Sequence, residues 1–555
     1  MNAIRLADAV GPLFAGAQAC MDRQIDDPGS PDHGGPVNAA WGIPDPSSAI
    51  GVTATLALAL VVRRLRPDLA PQQPDDGLLL RRAVEAADFL LRQQRPSGLT
   101  DLLDCNYDSS PDAGFAVQAM CPVLELGRTV LERCPELAPV LERVERFTRA
   151  ATVGMITGGF HTPNHRWVIA GALARAGKLY PEIEVRPVID AYLAEGIDAD
   201  DEGFFIERSA GVYDPICDRS LLMVWRAIGH EPSRDAALRN LDLNLLMLNA
   251  DGTAETGLSR RQDYGQRSVP GSMALAYLLG YEARPDPRYL AAAHLLWQGG
   301  RGDASGVAGY LLSAGIEAIE TPEGAFPFDF QQLLPANGIW RMRRGRLSVS
   351  AFRGATRLLT LSSGQAELAA VKVNQSYFGV GAFKAEVLEE RDGSVVLTSS
   401  GVQLPNRPGY DMPAGKPMPR ESFYEDRASR VCRALPPCRS ELLIEPCGDG
   451  VILSLATLDG MDGVTAQMAF DFAPGGEWET DDTCLKPVPG QALFLKRGAG
   501  RMRYGNDVIE VEGGAFAHRM WAMRDAEQAP GHVRVLLTFR TPIRHQVRLR
   551  VYRAP

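Results

Sequence analysis

Apolar residues recur every three or four positions almost without interruption from Ile4 to about Ser313, and from about Gly345 onward they recur every second position. The first part therefore predicts helices and the second predicts strands. Two kinds of helix alternate in the first part. Segments 78–91, 130–147, 186–193, 236–248 and 289–297 carry their charge on one side, as a solvent-facing helix does. Segments 50–62, 113–120, 166–176, 220–228 and 272–279 are nearly uncharged and suit helices enclosed all round. Pro111, Pro163, Pro215 and Pro270 precede uncharged helices at spacings of 52, 52 and 55 residues. Proline is tolerated in a first turn because that amide has no helical partner, and a helical unit repeated at such a period stacks into a curved or closed array. Asp45-Pro46-Ser47-Ser48 opens one more repeat out of step, which gives five pairs and an incomplete sixth.

The second part reads as short β-rich runs at 347–352, 394–398, 451–455, 464–472, 492–496, 532–539 and 547–552, divided by Gly, Pro, Asn or Asp. Strands without intervening helices form antiparallel sheets, here a large sandwich. The predicted fold class is α+β multidomain, with an N-terminal (α/α) incomplete toroid followed by a C-terminal antiparallel β-sandwich. The toroid is assigned 1–320, an extended connection 321–345 and the sandwich 346–555. A proline- and arginine-rich stretch, 403–439, reads as a long loop.

Composition narrows the functions available. A chain of 555 residues with 45% hydrophobic and 23% charged residues can bury two or more cores. Its formal charge of -10 and lack of a concentrated Lys/Arg surface argue against a nucleic-acid partner, so an anionic ligand must be held by local arginines. Nine cysteines, odd in number and without a CxxC pair, indicate neither a zinc ribbon nor a complete disulfide framework, and most read as small buried hydrophobes. The histidines are scattered without ligand spacing, so no metal or other cofactor is expected. Residues 1–20 hold one arginine and an apolar stretch broken by Asp8, Gly11 and Pro12, a poor secretory signal that reads as an amphipathic helix. The longest apolar stretch, 49–62, falls short of a bilayer span. The expectation is a cytoplasmic protein without a membrane partner, with the periplasm as the alternative.

Chemistry gathers just ahead of the uncharged helices. Thr162-Pro163-Asn164-His165-Arg166-Trp167 puts an amide, an imidazole and a guanidinium at a helix head, where free amides and the dipole favour an anion. Asn164 and Arg166 suit a carboxylate, and His165 suits a general base or a further neutralising donor. The plainer alternative makes Asn164 a cap and His165 a core histidine. In Glu207-Arg208-Ser209-Ala210-Gly211-Val212-Tyr213-Asp214 the small residues allow close backbone approach to a ligand and let Tyr213 project, with Arg208 as its cation. Otherwise Tyr213 is an aromatic cap beside a Glu207-Arg208 surface pair. Ser259-Arg260-Arg261-Gln262-Asp263-Tyr264 joins a tyrosine to arginines suited to forked recognition of a carboxylate or sulfate, or else is a solvated loop. His33, Trp41, Asn106 and Tyr107 are further substrate-binding candidates, Trp41 as a stacking surface for a sugar face, or else structural.

A helical toroid followed by a sandwich, with Asn164-His165 at an inner helix head and tyrosines in the next loops, resembles the heparinase II/III-like polysaccharide lyases and related alginate lyases. The resemblance implies β-elimination on a uronate: donors neutralise the carboxylate, a base removes the C5 proton and an acid protonates the departing O4. It implies Asn164 and His165 on the carboxylate, His165 also as a base, and Tyr213 in proton transfer with Tyr264 as its alternative. His518 is the nearest match for a second histidine in the β-half. The partner implied is an acidic oligosaccharide or polysaccharide, and a homo-oligomer is left open. A glycoside hydrolase is the rival reading and needs paired carboxylates, for which Asp112, Asp214, Asp218 and Asp263 lie in suitable loops. A non-catalytic acidic-glycan-binding protein is the third.

Overall fold

Proline and capping side chains set where the inner helices start. In the computed structural model, which describes residues 2–297, 302–377, 380–401, 409–524 and 526–555, Pro46, Pro111 and Pro163 occupy the first turns of α2 (Pro46–Leu65), α4 (Ser110–Val130) and α6 (Pro163–Leu179). Asp45 and Ser109 cap α2 and α4 by accepting from Ser48 N and Asp112 N. The other helices are α1 (Leu6–Met21), α3 (Asp76–Gln93), α5 (Ala138–Thr157), α7 (Arg186–Ala194), α8 (Tyr213–Ile228), α9 (Glu231–Met247), α10 (Met273–Ala283), α11 (Pro287–Trp297) and α12 (Ala304–Ala314). Pro215 is the third residue of α8, and Pro270 lies three residues before α10.

The helices form one of two units, Met1–Met247 with Gly252–Pro327. Helices α2, α4, α6, α8 and α10 pack in succession, backed by α3, α5, α7, α9 and α11. Helix α12 packs on α1, α4 and α10, and α1 packs on α2, so the two ends of the unit together supply the sixth pair. Strands Asn2–Arg5 and Ala318–Thr321 pair beside them.

The inner helices approach closely through small residues. A Cβ on Gly171 of α6 would lie 2.8 Å from Ser220 O and 3.1 Å from Ser220 Cα of α8. They are not enclosed all round, as their low charge had suggested: Ala54, Thr55, Phe115 and Ala119 are half-buried and line a hollow. By length and composition α2 is long and apolar enough to cross a membrane, more than the 49–62 stretch promised, although 72% of its apolar window is buried within the protein. All nine cysteines are free; Cys20, Cys121, Cys217 and Cys438 are buried, whereas Cys105 and Cys484 are exposed.

The second unit, Leu248–Asp251 with Phe328–Pro555, holds two nine-stranded sheets. The first runs in the order Ala492–Phe494, Val533–Arg540, Thr465–Phe472, Ala366–Tyr377, Leu359–Ser363, Leu347–Phe352, Ile339–Arg344 and Phe330–Leu334, with Val380–Ala382 beside Ala366–Tyr377. It is antiparallel except for the pairing of Ala492–Phe494 with Val533–Arg540. The second sheet runs from Val387–Arg391 through Ser394–Ser399, Ser440–Cys447, Gly450–Thr457, Arg544–Arg553, Asp507–Glu512, Ala499–Tyr504 and Glu477–Glu479 to Cys484–Leu485. Trp340, Val371 and Phe470 of the first share one core with Ile444, Leu453 and Val547 of the second, which makes the pair a sandwich.

The stretch read as a connection, 321–345, contains the strands Phe330–Leu334 and Ile339–Arg344. Trp340 and Met342, in the sandwich core, alternate with Arg341 and Arg343, and both arginines are buried as well, where they donate to Leu248 O and hold the 248–251 segment against the sheet. The stretch read as a loop, 403–439, contains the paired strands Gly409–Asp411 and Cys432–Ala434, while 403–408 lie outside the described residues.

Gly171→Ala is expected to lower the melting temperature. Helix propensity alone would favour alanine by ~1 kcal/mol, but the contact with Ser220 forces a shift of the order of 1–3 kcal/mol. Calorimetry showing a higher melting temperature would mean that α6 and α8 separate without penalty.

Candidate active site

Three segments of the helical unit meet at the heads of α6 and α8: the start of α6, the loop before α8 and the loop before α10. Thr162 has the extended backbone of an N-cap but makes no side-chain cap bond. Its Oγ1 instead accepts from Asn164 Nδ2 at 3.1 Å, and the same Nδ2 donates to Glu207 Oε1 at 3.0 Å. Asn164 is 1% exposed and Glu207 5%. Asn164 is therefore a tether and not a cap; both its N–H donors are engaged, and its buried Oδ1 has no partner.

Arg261 completes the tether from the third segment. Its Nη1 lies 3.1 Å from Glu207 Oε1, its Nη2 donates to the Tyr213 hydroxyl at 3.1 Å, and its guanidinium lies 4.5 Å from the Tyr213 ring centroid. Gln262 Nε2 gives the same hydroxyl a second hydrogen bond at 2.8 Å. Tyr213, first residue of α8, thus accepts two donors while its own hydrogen meets no acceptor among the described residues. Arg260 N donates to Glu207 O at 3.0 Å, which seats the third loop on the second. Asp263 accepts from Gly211 N and Ser259 Oγ, and a Cβ on Gly211 would stand 2.9 Å from Asp263 Oδ2. The small residues at 209–211 therefore let loop approach loop, not backbone approach ligand.

Burial governs the ionisable groups. His165 is pushed down to about 4, chiefly by burial and then by His161 and Arg261, so it is neutral near pH 7. The His161 ring meets it edge-on at 4.7 Å, and its Nδ1 is buried without a partner. A neutral imidazole can donate or accept a hydrogen bond but brings no charge to a carboxylate. Burial also raises Glu207, against the pull of Asn164 and Arg261. Asp214 is pushed up to about 7 by burial despite hydrogen bonds from Asn240 and Asn244, and Asp218 well above the carboxylate range by burial and then by Asp214. Asp214, Asp218 and Asp263 are all buried. Asp112 takes Asn106 Nδ2 and the Ser109 hydroxyl. None of the four stands as an open carboxylate of the kind paired acid–base hydrolysis needs.

The other sequence candidates are distributed as follows. Arg166 lies mostly buried, 3.0 Å from Asp198 and 3.3 Å from Glu195, and stacks on Trp167; its guanidinium is matched within the protein. Arg208 lies over Phe204 on a left-handed backbone with φ 53°. Arg260 is exposed and donates to Ile206 O at 3.5 Å, with no carboxylate partner among the described residues. Tyr264 is half exposed at the rim of the third loop. Trp41 is exposed, Tyr107 is exposed and donates to Leu103 O, Asn106 binds Asp112, and His33 stands 3.5 Å from Glu85. No hydrogen bond shown for these four reaches the Glu207 cluster. In the sandwich unit His518 has both ring nitrogens engaged, Nε2 with Ala466 O and Nδ1 with Met520 N. Glu207, Gln262 and His161 went unassigned in the sequence, though Glu207 and Gln262 lie within the segments singled out.

A toroid of helix pairs and a two-sheet antiparallel sandwich is the fold class of a group of polysaccharide lyases. A mutant of the heparan sulfate lyase HepC of Pedobacter heparinus is similar to this chain at a TM-score of 0.51 and 10% identity, covering 98% of this chain and 83% of that one. A Paenibacillus xanthan lyase is similar at a TM-score of 0.53 and 10% identity, covering 99% of this chain and 55% of that one. These likenesses are of fold, the fold that the sequence resembled. No protein-family model and no curated protein matches the chain.

Asp214→Asn is expected to stabilise the protein increasingly as pH rises. The folded-state shift of Asp214 to about 7 means that its neutral form supports folding below the ordinary carboxylate range and that this support is lost as pH climbs through 7. Asparagine stays neutral and can still accept from Asn240 and Asn244. Melting temperatures compared between about pH 5 and about pH 8 should diverge in favour of the variant; parallel curves would show that Asp214 is ionised throughout.

Proposed function

We propose that this protein is a polysaccharide or oligosaccharide lyase that cleaves a uronate-containing glycan by β-elimination at the heads of α6 and α8. The observation that carries the reading is the Tyr213 hydroxyl, which receives Arg261 and Gln262 and has its own proton unclaimed. Elimination breaks C5–H and C4–O4, leaves a double bond between C4 and C5, and requires a proton on the departing O4. A phenol whose oxygen is held by two donors can give that proton and remain solvated as the anion. His165, neutral at the head of α6, is the second group, assigned to receive the C5 proton.

The C5 proton comes off only if charge on the carboxylate is stabilised by fixed donors. Arg260, exposed and without a carboxylate partner among the described residues, is assigned that role, with Arg208 as a second donor. Asn164 and Glu207 position Arg261, and through it Tyr213, and are not assigned to the carboxylate. The buried state of Asp214, Asp218 and Asp263 supports elimination over the hydrolase reading.

The test is incubation of the full chain with a panel of uronate oligosaccharides, read by the ultraviolet absorbance of unsaturated uronate. Tyr213→Phe is expected to lower kcat by roughly 10²–10⁴ with KM little changed. Arg260→Met should raise KM by roughly tenfold or more. Full turnover in Tyr213→Phe would remove the phenol from the mechanism. Products lacking the chromophore would establish hydrolysis, and tight binding without any product would establish a glycan-binding protein.

A further inference from the structure

The inner faces of the toroid helices enclose a cavity of about 280 Å³ distinct from the helix-head cluster. Two of its lining residues, Arg219 and Arg226, follow Tyr213 along α8 by six and thirteen positions, which is roughly 9 and 20 Å at the helical rise. Part of the wall is apolar, with Leu58, Phe115 and Leu275, and part is cationic.

Of the three arginines on that wall, two are matched inside the protein. Arg175 is gripped by both oxygens of Glu125 at 3.0 and 2.6 Å, and Arg226 lies 3.1 Å from Glu282. Arg219 is poorly matched. Its side chain is 18% exposed, and its nearest carboxylate, Asp303, stands 4.0 Å away. Asp303 is also engaged in capping α12 through Gly306 N. Arg219 Nε is buried with no hydrogen-bond partner. Gln118, which lines the same cavity and is 4% exposed, supplies an independent observation. Its Nε2 is fixed by Val168 O and Ser220 Oγ, both at 3.0 Å, which leaves Oε1 buried without a donor.

A half-matched guanidinium and an acceptor lacking a donor, set in one partly apolar hollow, specify their guest. An apolar molecule would leave both groups unsatisfied, and a neutral alcohol could accept from Arg219 but would leave its charge poorly balanced. We infer that the hollow is a binding site for a small hydroxylated carboxylate, of the size of a single sugar acid, whose carboxylate pairs with Arg219 and whose hydroxyl donates to Gln118 Oε1. The site lies apart from the helix heads and requires neither the elimination chemistry nor its substrate.

Titration calorimetry of the full chain with glycerate, D-gluconate and D-glucuronate, against glycerol and D-glucose, tests this. At least one acid should bind at least tenfold more tightly than its uncharged counterpart. Arg219→Met should weaken that binding tenfold or more. Ala54→Phe, which adds an aromatic ring to the wall of the hollow and removes no polar group, should do the same, each variant keeping the wild-type circular dichroism. Arg260→Met, at the helix heads, should leave it unchanged, which separates this site from the proposed catalytic one. The inference is overturned if none of the acids binds or if the uncharged compounds bind equally well. It is also overturned if binding survives both Arg219→Met and Ala54→Phe, or if Arg260→Met abolishes it.

Discussion

One buried carboxylate oxygen, Glu207 Oε1, holds the polar end of the helical unit together. It receives Asn164 Nδ2 from the head of α6 and faces Arg261 Nη1 from the loop before α10, while Glu207 itself sits in the loop before α8. Taking such a charge out of water is costly, and the pairing offsets the cost only while both partners stay in place. Removing one member of a buried pair typically costs ~3–5 kcal/mol, because the other is left buried and unmatched. The same contact fixes Arg261, and Arg261 in turn fixes the Tyr213 hydroxyl, so the geometry of the phenol is inherited from Glu207. A network of this kind is strong when complete and weak when interrupted.

Different parts of this arrangement were legible to different degrees in the sequence. Local rules carried the helix starts: proline at the first turn and uncharged faces locate the beginnings of α2, α4 and α6 within a few residues, because that information lies within one turn of the chain, whereas the end of α4, at Val130, lies ten residues beyond the segment read. The same rules located Asn164 and Tyr213 at helix heads. Glu207 was beyond their reach, since next to Arg208 it resembles a surface pair, while the partner that buries it is Asn164, 43 residues away. Arg166 misled in the opposite direction. It lies one residue from His165 but is matched by Asp198, 32 positions on, so nearness in sequence to a reactive group said nothing about where its guanidinium would go. In the sandwich, Trp340-Arg341-Met342-Arg343 alternates as a strand does, but the turn residues Pro335 to Gly338 just before it made it read as part of an extended connection, and nothing local showed that its two arginines would be buried.

The fold itself leaves the chemistry undetermined. Toroid and sandwich are a scaffold, and the proposed activity rests on the few side chains presented at the helix heads. Those side chains narrow the reaction more than the scaffold does. Three of the four aspartates considered for hydrolysis lie in packing where burial favours the protonated form or hydrogen bonds tie both oxygens. In the proposed reaction the neutral His165 and doubly held Tyr213 would move protons without placing an ionised carboxylate beside the substrate's own. A reaction that builds negative charge beside an existing carboxylate favours such an environment, whereas one needing an ionised nucleophile does not.

The same helices that present Tyr213 also wall the hollow, and the question is whether an occupant there would be felt at the heads. Arg219 and Tyr213 are carried by one uninterrupted helix, α8. A continuous helix held against its neighbour transmits a displacement only as a rigid body, and Gly171 against Ser220 leaves α8 little room to shift toward α6. Coupling between two sites requires an element with two discrete arrangements that both sites bias. Tight packing of α6 on α8 provides one arrangement, so the physical expectation is two sites that share a scaffold and act independently.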